Sequence, residues 1–236
     1  MGHQLRLSVN KILKIDIESI KLNSLRRPEE ETTLILPITT PLNRTNISNE
    51  EVNALPLGAF EGKVSVITDR SDLNAALKVI KSHPVVGFDT ETKPVFVKGQ
   101  RHQVALMQVS VPTEVFLVRI KTTGLVEELV SLLENKNVLK AGVGIRDDIK
   151  ALQHLYRFTP EGFVELAELS RQAGLEVESV KKLTALLLGF RISKGAQTSN
   201  WEAESLDARQ VSYAATDAWV CLQIYDVLTR LAKNGK

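Results

Sequence analysis

One cysteine, Cys221, is all that 236 residues contain, so no internal disulfide can form and no zinc site can be built from thiolates. That usage fits a reducing compartment, and core packing is the role expected of Cys221. Long apolar runs are missing too: a stretch such as "ALLLGF" at 185–190 falls far short of a bilayer span. The first residues lack the basic segment, apolar segment and small-residue cleavage site of a secretory signal, so the expected location is cytoplasmic, with no membrane association. Neither sign of charge dominates. The 30 Lys and Arg against 28 Asp and Glu leave a formal net charge of +2, which neither demands nor excludes a nucleic-acid partner. Only a local basic surface would argue for one. The remainder, 43% hydrophobic and 25% charged, is the composition of a soluble globular chain long enough for one packed core and an appendage.

The patterning changes near residue 60. Before it stand isolated strand-like pieces, "LRLSV" and "TLILPITT", and the polar stretch "NRTNISNEEVNALPLG", without a sustained helical or two-residue period. Residues 1–55 therefore read as an extended N-terminal arm, and 56–236 as the main domain. From "GKVSVIT" the signals become regular. In "SDLNAALKVIKSH", Leu73, Ala76, Leu77 and Ile80 share one helical face, with Ser71 as N-cap. A strand over 85–91 is followed by "QVALMQVSV" and "EVFLVRI", whose "PT" junction suits an antiparallel hairpin. Helix "GLVEELVSLLENK", strand "VLKAGVGI" and helix "DDIKALQHLYRF" come next. The rest, from "FVELAELSRQAG" through "SVKKLTALLLGF" to "DARQVSYAATDAWVCLQIYDVLTRLAK", reads as helical. This order predicts an α/β fold: three antiparallel strands, then alternating helix and strand, in a mixed sheet flanked by helices.

The strand "VVGFDTET" ends on two carboxylates. Alternate residues of a strand share a face, so Asp89 and Glu91 point the same way, at the carboxyl end where α/β sheets commonly hold ligands. Two readings fit: a solvated strand end, or a hard divalent cation that neutralises the repulsion. The last helix adds a third carboxylate. Tyr213, Asp217, Val220, Cys221 and Ile224 lie on one helical stripe whose other members are apolar or aromatic, so Asp217 faces inward. A buried carboxylate must be paired, neutralised or bound to metal. A salt bridge or a cap would serve Asp217 as well as a metal does, and Tyr213 would serve equally as an ordinary core aromatic.

"GIRDDIKAL" offers a further pair. Acidic residues suit a helix N-terminus in any case, but Asp148 shares its stripe with Leu152 and Leu155, while Asp147 shares one with Ala151 and His154. Asp148 is the inward carboxylate of the two. The preceding "GVG" lacks the third glycine of a dinucleotide fingerprint, since Asp147 stands there.

Taken in order, "FDTET", "AGVGIRDD" and "YAATD" resemble the three exonuclease motifs of the DEDDy group of 3′–5′ exonucleases, in particular the ribonuclease D and Werner-syndrome-type branch. The likeness covers roughly residues 55 to 232 and takes in "LPLGAFEGKVSVI", "VALMQVSV" and "SNWEAESL". It implies a ribonuclease H-like fold. It also implies that Asp89, Glu91, Asp148 and Asp217 ligate two divalent cations, Mg²⁺ or Mn²⁺, and that Tyr213 orients the attacking water. The implied reaction is stepwise hydrolysis from the 3′ end of DNA or RNA, releasing nucleoside 5′-monophosphates. A one-residue slip would put Asp147 in the ligand position, but the helix stripe and the family spacing both favour Asp148. No histidine falls in the motifs.

Substrate contacts are expected from Thr90 and from basic residues near the motifs: Lys93, Lys98 and Arg101 in "KPVFVKGQRHQ", with Arg146, Lys150 and Lys194. Such side chains would bind phosphates without sequence preference, although each fits a solvated surface equally well. Trp201 suits base stacking or packing within the helical part. Two rivals stand beside the exonuclease: a non-catalytic nucleic-acid-binding or scaffolding module on the same fold, and a metal-dependent hydrolase of small nucleotides. The intact tyrosine and carboxylates count against the first; a basic single-strand channel would count against the second.

Overall fold

The structure is a computed structural model describing residues 44–97 and 99–234. "LRLSV" and "TLILPITT" of the expected arm, and Lys98, lie outside the described residues. Where the arm is described it is not extended throughout. Residues Asn49–Ala54 form helix α1, opened by Ser48, whose hydroxyl accepts from the Glu51 amide while the Glu51 carboxylate accepts from the Ser48 amide. Ile47 and Val52 are buried in the same apolar cluster as Leu166 and Leu187.

Strand β1 (Lys63–Ile67) leads into α2 (Arg70–Lys81). The helix buries Leu73, Ala76, Leu77 and Ile80, the face its spacing predicts, but its cap is Asp69, which accepts from the Asp72 amide, and not Ser71. Next come β2 (Val85–Thr92), β3 (Val104–Ser110) and β4 (Glu114–Arg119), consecutive antiparallel neighbours, then short α3 (Ile120–Thr123) and α4 (Glu127–Leu133). Strand β5 (Leu139–Gly142) pairs in parallel with β2 and is followed by α5 (Ile145–Leu155). "FVELAELSRQAG", expected to be wholly helical, begins instead as β6 (Phe163–Glu165), parallel to β5, before α6 (Leu166–Gln172). Pairing of Phe163 and Val164 with Lys140 and Ala141 overrides the local helical pattern. Helices α7 (Val180–Leu188) and α8 (Ala208–Asn234) complete the described chain.

The six strands lie in the order β1-β4-β3-β2-β5-β6. One sheet face, with Val86, Phe88, Met107, Val109, Phe116 and Val118, packs on α2, α4 and α5. The other face packs on α6, α7 and α8. β2 is central, with α8 laid across one side and α5 on the other, and its carboxyl end is where the two layers meet. Among the described residues no helix is long and apolar enough to cross a membrane.

Candidate active site

Strand alternation divides the end of β2 between the two layers. Asp89 and Glu91 follow Gly87 onto the α8 side, where α8 approaches closely enough to brush the Gly87 backbone. Thr90 follows Phe88 toward the α5 side, and its hydroxyl donates to the Asp148 carboxylate in the first turn of α5. From α8, Asp217 is only 8% exposed. One carboxylate oxygen each from Asp89, Glu91 and Asp217 lie within 4.8 Å of one another. Asp148 stands outside that trio yet near enough to repel both Asp89 and Glu91. Its neighbour Asp147 points to solvent, with 89% of its side chain exposed and an ion pair to Lys150 at 2.9 Å.

Burial and mutual repulsion dominate the electrostatics. Asp89 is pushed well above the ordinary aspartate range by desolvation, then by the charges of Asp217, Asp148 and Glu91. Glu91 is raised to about 8 by desolvation, then by Asp217 and Asp148. Desolvation likewise raises Asp148 and Asp217, opposed by hydrogen bonds from Thr90 and Tyr213 respectively. No salt bridge reaches any of the four among the described residues. The Asp217 Oδ1 atom is buried without a hydrogen-bond partner among the described residues. A dense set of hard oxygen donors, without a salt-bridge partner among the described residues and with one unpartnered oxygen, fits a divalent cation that takes oxygen ligands. Tyr213, one turn before Asp217, turns its hydroxyl to that carboxylate, and burial with the surrounding negative charge holds the phenol in its protonated form.

Glu165, at the junction of β6 and α6, is a support that sequence reasoning missed. Its carboxylate accepts from the amides of Gly144 (3.0 Å), Ile145 (3.1 Å) and Ala167 (3.2 Å), so one side chain caps α5 and α6 together. Gly144 has φ +74°, a left-handed turn natural to glycine, and needs an external acceptor because its own side chain offers none. The helix that carries Asp148 is therefore seated by Glu165. The stretch "FVELAELSRQAG" holds two glutamates, Glu165 and Glu168, and nothing local sets Glu165 apart as the cap.

The expected substrate contacts are scattered. Lys93 lies beside Glu202, 3.8 Å from its Oε2, and His102 bonds the other oxygen of Glu202 at 3.1 Å, tying the loop after β2 to the segment before α8. Arg101, Arg146 and Lys194 are exposed. Thr90 gives its hydroxyl to Asp148, and Lys98 lies outside the described residues. Trp201 is fully buried with its ring 6.0 Å from that of Tyr213, so it packs behind the site and presents no face to a base.

A family model described as 3′–5′ exonuclease matches residues 64–233. The chain is 34% identical over 192 residues to the Mus musculus bifunctional 3′–5′ exonuclease/ATP-dependent helicase WRN, covering 77% of this chain and 14% of that protein. It is 34% identical over 162 residues to the Drosophila melanogaster exonuclease 3′–5′ domain-containing protein 2, covering 65% and 27%. The chain thus spans well under half the length of these two relatives. The crystal structure of the Aedes aegypti Nibbler EXO domain superposes with a TM-score of 0.67 at 23% identity, covering 76% of this chain and 94% of that one. That likeness establishes the fold, the ribonuclease H-like mixed sheet expected from the sequence.

Proposed function

The chain belongs to the 3′–5′ exonuclease family, and from that premise we propose that it hydrolyses DNA or RNA stepwise from a free 3′ end and releases nucleoside 5′-monophosphates. The observation that carries this reading is the convergence of Asp89, Glu91 and Asp217 within 4.8 Å, partly to fully buried, mutually repelling and, among the described residues, without a salt-bridge partner. Such a cluster is costly unless positive charge is brought to it. Asp89, Glu91, Asp148 and Asp217 would hold two divalent cations, Mg²⁺ or Mn²⁺. When bound, these cations supply Lewis-acid activation of water and neutralise charge developing on the leaving oxygen.

The protein's own groups have separable tasks in this reading. Thr90 and Glu165 keep Asp148 directed at the end of β2. Tyr213, protonated and turned to Asp217, orients the attacking water through its hydroxyl. Exposed Arg101, Arg146 and Lys194 and half-buried Lys93, with Lys98, take the phosphates of the incoming strand by charge alone, which gives affinity without sequence preference. Residues 56–236 form the nuclease domain, and the preceding arm packs on it through Ile47 and Val52. A single buried thiol, Cys221, supports a reducing compartment such as the cytoplasm.

The test is degradation of 5′-labelled single-stranded and 3′-recessed DNA and RNA oligonucleotides with Mg²⁺, with Mn²⁺ and with chelator, for the native chain and Asp89→Ala. A metal-dependent ladder shortening from the 3′ end, absent in the variant, is the expected result. Binding without cleavage of any polymer would replace this reading with that of a non-catalytic module.

A further inference from the structure

Gln108 sits at the centre of β3 with none of its surface exposed, and among the described residues neither its Nε2 nor its Oε1 has a hydrogen-bond partner. A buried amide with both ends unbonded is rare in folded proteins and costs free energy. Its surroundings limit what can relieve it. The register places Gln108 opposite Asp89 on β2 and opposite Leu117 on β4. Directly opposed residues project from the same face of the sheet. Gln108 therefore lies between the Asp89 carboxylate and an apolar neighbour, on the face where Ala214 and Ala218 of α8 pack against Leu106 and Leu117. Along β3 the same face carries Leu106 and Ser110, and the Ser110 hydroxyl already donates to the Val111 carbonyl.

Two more buried polar atoms of this region are unbonded among the described residues: the Trp201 Nε1, in the same apolar cluster, and the Arg119 Nε. Arg119, opposite Leu106 on β4, is its diagonal neighbour, at the separation of about 7–8 Å that long side chains span. The Arg119 guanidinium donates to the carbonyls of Ala203 and Glu204, but its Nε is buried without a partner among the described residues. Three of these unbonded atoms run donor, acceptor, donor (Arg119 Nε–H, Gln108 Oε1, Gln108 Nε2), and the Asp89 carboxylate across the ladder is an acceptor.

We propose that Gln108 is a positioning residue for the cation-holding carboxylate: these side chains are not bonded to one another in the structure, and on cation binding the Arg119 Nε–H would donate to Gln108 Oε1 and the Gln108 Nε2–H to Asp89, fixing that carboxylate in the orientation in which it takes a divalent cation. The inference rests on the reading of Asp89 as a cation ligand. A guanidinium on the far side of the amide polarises it and strengthens its donation. Outer hydrogen bonds of this kind typically carry about 10- to 100-fold in metal affinity.

The experiment titrates Mn²⁺ calorimetrically into the full metal-free chain and its Gln108→Met variant, and melts both with and without Mn²⁺. Methionine fills a similar volume and removes both unbonded amide atoms, while the Arg119 Nε stays as unpartnered as it is in the structure, so the variant is expected to melt at or above the native temperature without metal. It is also expected to bind Mn²⁺ about 10-fold or more weakly, with a smaller Mn²⁺-induced rise in Tm. Mn²⁺ affinity within twofold of native assigns the amide to packing alone and overturns the proposal. Gln108→Asn keeps an amide one methylene short, so it provides the same reading should the Met variant fail to fold, and unchanged affinity there overturns the proposal as well. A native chain that takes up no Mn²⁺, with Asp89→Ala behaving identically, overturns the metal reading itself and this inference with it.

Discussion

A β-carbon on Gly87 would fall 1.9 Å from the carbonyl oxygen of Ala218. No real Cβ contact is that short, so glycine at 87 is what allows α8 to lie directly on β2. Ala218 follows Asp217, and Gly87 shares a face with Asp89 two residues on. The same close approach that packs the helix therefore sets the spacing of two carboxylates of the cluster.

Gly87→Ala should accordingly damage function more than stability. Overpacking of this kind costs about 1–3 kcal/mol, whereas displacing α8 by about 1 Å moves Asp217 away from Asp89 and lowers turnover by roughly 10²-fold. Thermal unfolding and single-turnover degradation, run where both proteins are folded, separate the two effects. A variant with native turnover would mean that the site tolerates the shift.

Glu165→Ala removes the acceptor for three amides, those of Gly144, Ile145 and Ala167. Loss of a cap costs about 1–2 kcal/mol, and here two helix starts lose one. Because α5 carries Asp148, activity should fall further than the stability loss accounts for. Glu165→Gln keeps one carbonyl acceptor and should recover part of the stability. Equal denaturation midpoints for native and Ala proteins would show that water replaces the carboxylate at no cost.

In chelator, stability should decline as pH rises from about 5 toward 7. Glu91 has an ordinary value of 4.5 and is raised to about 8 in the fold. Between those values the unfolded chain has lost the proton that the native state keeps, so raising the pH favours unfolding. Asp89, Asp148 and Asp217, all raised, act in the same direction. Lys140 opposes them at higher pH. Desolvation lowers it from 10.5 to about 7, so above 7 the native state is the less protonated one and gains stability with pH. The decline should therefore be clearest below 7, and saturating Mn²⁺ should flatten it. Melting curves across pH, with chelator and with Mn²⁺, provide the check; a Tm that climbs from pH 5 to 7 in chelator would contradict the assignment.

What the sequence reveals and what it hides follow from the range of the forces involved. Asp89 and Glu91 at the end of "VVGFDTET", and Asp217 on a stripe with Val220, Cys221 and Ile224, are legible because strand and helix periods are local. Asp148 is separated from Asp147 by the same means. β6 was missed because Phe163 and Val164 are a strand only in the presence of β5. Ser48 and Glu51 carried a capping signature, but α1 is short and the surrounding stretch polar. Lys140 is fully buried because its amino group donates to the carbonyls of Leu132, Asn135 and Glu161, and nothing within "VLKAGVGI" announces those partners. Glu165, Gln108 and Arg119 belong to the same class: each acts through groups distant in sequence, brought near by the sheet.

Asp89→Asn brings the conflict between folding and function into one measurement. Without metal, Asp89 is destabilised in its charged form by burial and by Asp217, Asp148 and Glu91 around it. Asparagine has nearly the same shape and carries no charge, so near neutral pH with chelator the variant should melt above the native protein. In a domain of this size each 1 kcal/mol corresponds to roughly 2–4 °C. Saturating Mn²⁺ should reverse the order, because the native cluster gains binding free energy that grows with the logarithm of metal concentration and the variant gains less. Exonuclease activity should be lost in the variant under both conditions. The crossing of the two Tm values is the decisive feature, since a variant that was merely misfolded would melt lower throughout. If Asp89→Asn melts below the native protein in chelator, repulsion within the cluster does not limit the stability of the metal-free fold.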